Sequence, residues 1–165
     1  MEHLPSIFSK RVLVMGCGNI LFGDDGFGCA VAEYILKELD VPDDVCVEDV
    51  GTATAKLLFT LLHSEIVPER IILVDAVELR GKMPGEVFDV DLDDLPEDKV
   101  GAYSVHEFPD TNLLKELRDE RGVEIRILAC QVERIPEEVE MGLSMGMKNA
   151  VPRAAEMVMD NIKGK

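Results

Sequence analysis

Three carboxylates and one imidazole stand out in this sequence because each follows an apolar run that should be buried: Asp24 and Asp25, Asp75, and His106. Gly16-Cys17-Gly18-Asn19-Ile20-Leu21-Phe22-Gly23-Asp24-Asp25-Gly26-Phe27-Gly28 comes directly after the run Arg11 to Met15. A Gly-x-Gly at such a turn suggests a dinucleotide fingerprint, but the third glycine should stand where this chain has Leu21. Asp24 and Asp25 would also occupy the helix amino terminus where a pyrophosphate sits, and two carboxylates there repel phosphate. One aspartate suits a helix cap and compensates the dipole; two exceed what a cap needs. Asp75 closes Ile71-Ile72-Leu73-Val74. A carboxylate there needs a partner, a metal or water at the sheet's rim, or serves to cap the next segment.

Ser104-Val105-His106-Glu107 fits a capping box, which puts His106 in a first turn. The dipole there favours neutral imidazole, the metal-ligating form; an exposed capping-turn histidine is the alternative. Pro109 forbids a long helix from that start, so a turn is expected, then a helix from about Asp110. His3 and His63 read as surface residues. Asp25, Asp75 and His106 together offer an O/O/N donor set suited to a borderline divalent ion such as nickel or zinc. The chain has no HExxH, GxSxG or trustworthy Cys–His arrangement.

These side chains converge only if the elements bearing them lie in one parallel sheet. Arg11 to Met15, Val45 to Val50, Arg70 to Ala76 and Glu124 to Cys130 read as strands, and Gly85 to Asp91 as a more exposed edge strand. Helical spacing recurs through Phe27, Val31, Tyr34, Ile35 and Leu39, and through Leu57, Leu58, Leu61 and Leu62 after Gly51-Thr52. Leu113, Leu114 and Leu117 mark a further helix, with Asp110-Thr111-Asn112 as cap candidates and Gly122 as its stop. Val151, Ala155, Val158 and Ile162 line the last helix. The alternation predicts a doubly wound α/β fold whose functional groups gather beyond the carboxyl ends of the strands. No repeat or linker divides the chain, so residues 1–165 are expected to form one domain.

Lys+Arg 17 against Asp+Glu 33 leaves a net charge of −16. That balance excludes a nucleic-acid binder, which needs clustered cations, and disfavours docking on an anionic membrane. A basic or neutral protein partner fits better. The amino terminus has no apolar core of a signal peptide and no run is long enough to span a membrane, so a cytoplasmic protein is expected. Cys17, Cys29, Cys46 and Cys130 form no metal spacing and read as small core residues kept reduced. Met141, Met145, Met147, Met157 and Met159 suit either helix core, the commoner case, or an adaptable apolar surface.

The sequence resembles the hydrogenase maturation endopeptidases. The likeness rests on Gly16-x-Gly18-Asn19-x-Leu21-x-x-Asp24-Asp25-Gly26-x-Gly28, Asp49-x-Gly51-Thr52, Leu73-Val74-Asp75-Ala76, His106 and Gly142-Leu143-Ser144, in that order from about Val12 to Val158. It implies a three-layer αβα fold with a mostly parallel, twisted sheet of about five strands and helices on both faces. It implies removal of a carboxyl-terminal extension from the large-subunit precursor of a [NiFe]-hydrogenase after nickel insertion. The family's metal-contacting residues map to Asp25, Asp75 and His106, where the first acidic residue is often glutamate. The nickel would come with the substrate, with no organic cofactor, and the protein is expected as a monomer. Asn19, Asp24, Gly51 and Thr52 are expected to shape or contact the substrate crevice, or simply to form turns. Competing readings are a non-catalytic assembly factor that binds the nickel-loaded precursor, and a nucleotide-binding α/β protein.

Overall fold

A computed structural model of the chain describes residues 7–95 and 111–164. Five strands form one sheet: β1 (Val12–Cys17), β2 (Val45–Gly51), β3 (Arg70–Val77), β4 (Val87–Val90) and β5 (Glu124–Gln131). Their order is β2-β1-β3-β5-β4. β1 pairs in parallel with β2 and β3, and β3 with β5, while β4 runs antiparallel along β5 at the edge. The mostly parallel α/β sheet expected from the alternation is therefore present, including its more exposed edge strand.

The four described helices are α1 (Phe27–Glu38), α2 (Thr54–Leu62), α3 (Thr111–Arg121) and α4 (Met145–Lys163). Every residue of β1 and β3 is buried, because both faces of the sheet are covered. Alternate residues feed opposite layers. Val12, Val14, Ile72 and Val74 pack with Phe27, Val31 and Ile35 of α1 and with Ala154 and Val158 of α4. Leu13, Met15, Ile71 and Leu73 pack with Leu58 and Leu61 of α2 and with Leu114 and Leu117 of α3. Three layers result, as the resemblance implied.

Two boundaries differ from the sequence reading. β2 runs on through Gly51, whose φ of 56° turns the chain, so α2 opens at Thr54 rather than at Gly51-Thr52. The methionines divide: Met147 is core, Met157 and Met159 pack against it, and Met141 and Met145 face solvent.

The order β2-β1-β3 places the switch of chain direction between β1 and β3, where an open α/β sheet leaves a crevice at its carboxyl edge. Two glycines press α1 onto that edge. A Cβ at Gly28 would lie 2.2 Å from the Val74 carbonyl oxygen and 2.3 Å from that of Cys17. One at Gly16 would lie 2.3 Å from the Gly28 oxygen. Only two facing glycines admit this approach, and it brings the turn before α1 against the end of β3.

Candidate active site

Asp25 lies in a 3-10 turn, Gly23–Gly26, just ahead of α1. It is buried, and its carboxylate accepts the Asn19 backbone N–H at 2.9 Å. The turn is fixed further by Asp25 N–H donating to Phe22 O and by Asn19 Oδ1 accepting from Leu21 N–H. Asp75 is also buried, on the sheet face that carries Ile71 and Leu73, and accepts the Ala76 N–H at 2.8 Å. Gly18 separates the two aspartates. Its φ is 131°, and a Cβ there would strike the Asp25 carbonyl oxygen at 1.9 Å and come within 3.6 Å of Asp75 Oδ1. A side chain at this position would wedge them apart.

Burial, and then the negative charge of Asp25, push the Asp75 carboxyl well above the ordinary range, against the weaker pull of the Ala76 N–H. Two like charges are thus brought together out of water. Such a pair can hold a proton on Asp75, or it can face a bound cation, which would remove the repulsion.

Asp24, next to Asp25, is tied into the chain. It is buried, and both oxygens are taken by the chain itself. Oδ1 accepts Ser144 N–H at 2.7 Å, while Oδ2 accepts Glu133 N–H at 3.0 Å, Arg134 N–H at 3.2 Å and the Ser144 hydroxyl at 2.9 Å. This carboxylate staples the segment between β5 and α4 to the turn that carries Asp25. Asp24 thus holds the fold together here, and Ser144 is its main partner.

An open cleft of about 510 Å³ lies beside the turn, lined by Gly18, Asn19, Ile20, Leu21, Cys29, Asp49 and Gly51–Thr52. Asn19, Gly51 and Thr52 therefore stand where a crevice-shaping role requires. Cys29 and Asp49 were not assigned a site role from sequence, although Asp49 belongs to the Asp49-x-Gly51-Thr52 motif. The Cys17 thiol is held well above its usual range by burial and by Asp75, so it stays protonated and is no thiolate nucleophile. All four cysteines are free. His106, with Ser104, Glu107 and Pro109, lies outside the described residues, and among the described ones no three His, Cys, Asp or Glu side chains are grouped to hold an ion.

Residues 29–161 match the family model for hydrogenase maturation protease. The chain belongs to the hydrogenase maturation protease family. The match starts after the glycine-rich turn, so it does not depend on the motif that first suggested the likeness. A provisionally named hydrogenase maturation protease of Methanocaldococcus jannaschii is 37% identical over 155 residues, which span 93% of this chain and 97% of that protein. The coenzyme F420 hydrogenase subunit delta of Methanothermobacter thermautotrophicus is 36% identical over 160 residues, 94% of this chain and 96% of that one. The crystal structure of a [NiFe] hydrogenase maturation protease from Thermococcus kodakarensis superposes with a TM-score of 0.65 at 28% identity, covering 98% of this chain and 99% of that one.

As a hydrogenase maturation protease the chain is a peptidase that acts in hydrogenase maturation. Its sheet places Asp25 and Asp75 at the carboxyl edge where that chemistry is expected, and no helix among its described residues is long and apolar enough to cross a membrane.

Proposed function

We propose that this protein removes the carboxyl-terminal extension from the large-subunit precursor of a [NiFe]-hydrogenase once nickel is in place, and that Asp25, Asp75 and His106 read the nickel carried by that substrate. The observation that supports this most is that Asp25 and Asp75 are both buried and close enough for the charge of one to act on the other. A precursor without nickel lacks the metal that these side chains would contact, so recognition fails for want of a required contact. Asp25 and Asp75 supply hard oxygen donors and His106 an imidazole, a set suited to a borderline divalent ion.

Hydrolysis then needs a water beside the scissile carbonyl and a group to take its proton. Water attacks the carbonyl carbon, a carboxylate of the pair accepts the proton, and the amine of the extension leaves with a proton returned to it. Nickel bound in the precursor polarises the carbonyl or the water. Gly18, Gly51 and Thr52 leave the backbone open for an extended segment to approach.

The test is the intact mass of nickel-loaded and nickel-free precursors after incubation with the protein. Loss of one carboxyl-terminal peptide from the loaded form alone supports the reading. Unchanged mass in both overturns it. Asp25→Asn separates a peptidase from an assembly factor, since a scaffold would leave processing by other agents unaltered.

A further inference from the structure

Resting on that client, we infer that the short ribbon made by residues 20–22 and 139–141 is the surface on which the precursor docks, and that the docking segment is apolar with flanking Lys or Arg. Phe22 and Glu140 form a parallel bridge, with Gly23 N–H donating to Glu140 O at 2.7 Å and Glu140 N–H to Leu21 O at 2.9 Å. Side chains alternate across such a ribbon, so Leu21, Val139 and Met141 share the face opposite Phe22 and Glu140. All three face solvent: Leu21 is 41% exposed, and Val139 and Met141 are each 64% exposed. Ile20, half-exposed beside them, also lines the cleft next to Asp25. Single exposed apolar residues mean little, but adjacent ones on one face that run into a reaction cleft mark a recognition surface.

The ribbon is also held in place. Asp24, just past one strand, accepts from Glu133, Arg134 and Ser144, which flank the other, so little ordering is required when a partner binds. Charge selects the occupant. Glu137 and Glu138 are exposed beside the apolar face and make no ion pair among the described residues, whereas Glu140 is paired with Arg134. A second copy of this chain would bring −16 against −16, which disfavours self-association on this face. A client segment with cations beside apolar side chains meets both features.

The experiment uses the full chain and nickel-loaded precursor, with cleavage followed by intact mass and binding measured separately by calorimetry. Val139→Lys/Met141→Lys is expected to weaken binding and raise KM about tenfold at unchanged kcat, the mark of lost uniform binding. Its unfolding temperature should stay that of wild type, because neither side chain is packed. Glu137→Gln/Glu138→Gln should raise KM less and flatten its salt dependence. Wild-type KM and affinity in the lysine variant overturn the inference, as does a fall in kcat alone. A wild-type dimer that the lysine variant dissolves gives the face to a second copy and also overturns it. Binding without cleavage by wild type sinks the peptidase reading alone; absence of both sinks both.

Discussion

β3 carries a charged residue near each end, and the two ends are treated in opposite ways. At its start Arg70 is buried, pairs with Glu124 at 2.6 Å and donates to the Asn161 carbonyl of α4. Burial raises the Glu124 carboxyl, but its bonds to Arg70 and Arg126 outweigh that and hold it below the ordinary range. At the other end Asp75 is buried beside Asp25, a like charge, and is pushed up. The amino edge balances its charges within the fold and so stabilises it. At the carboxyl edge a like charge, not an opposite one, is what burial sets beside Asp75. Asp24 shows that the carboxyl edge is not short of donors, since an adjacent carboxylate there accepts four hydrogen bonds.

The largest effect should come from the carboxyl edge. Asp75→Asn or Asp25→Asn is expected to lower processing of nickel-loaded precursor by about 10²–10⁴-fold, the usual weight of a positioned acid–base group. Asp75→Asn should at the same time stabilise the fold at neutral pH. Asp75 titrates higher folded than unfolded, so its contribution is most favourable below the unfolded value and is lost as pH rises through the folded one. The gain on substitution is therefore absent in strong acid and grows as pH rises above the unfolded value. Thermal melts of both proteins across pH check this, with about 2–4 °C expected per kcal/mol relieved. A variant that loses stability at neutral pH would break the contrast between the two ends.

Asp24→Ala should come next, costing about 3 kcal/mol because three N–H groups lose their acceptor. Denaturant unfolding reads that loss, and faster proteolysis between residues 132 and 144 should accompany it. Arg70→Ala should cost about 2 kcal/mol, since Glu124 is partly exposed and water replaces some of the lost pairing. The Glu124 carboxyl titrates lower in the folded state, so this benefit is present above the unfolded value and lost as pH falls through the folded one. The difference between Arg70→Ala and wild type should thus shrink in acid. Processing per folded molecule should stay that of wild type, which sharpens the division of labour along β3. The smallest effect belongs to the exposed Glu33–Lys37 pair, where Lys37→Ala should leave the denaturant midpoint nearly unchanged.

Much of this was legible in the sequence because it is local. The buried runs of β1 and β3 and the spacing of Phe27, Val31 and Ile35 announce their partners by hydrophobic period alone. A parallel sheet then brings the turn that holds Asp24 and Asp25 to the same edge as Asp75. The glycines of the first turn were visible as a pattern, yet their reason was not. Gly28 and Gly16 are needed because α1 lies against the carbonyls of β1 and β3, a contact between elements far apart in the chain.

Asp24 and Asp25 make the limit plain, being identical in type and adjacent in sequence. Residue identity determined that two carboxylates would stand before α1, and nothing local distinguishes them. Tertiary structure decided their roles: one turns into the N–H groups of Glu133, Arg134 and Ser144, more than a hundred residues away, and the other faces Asp75. Hydrogen-bond donors brought from distant segments choose which of the two carboxylates is tied to them.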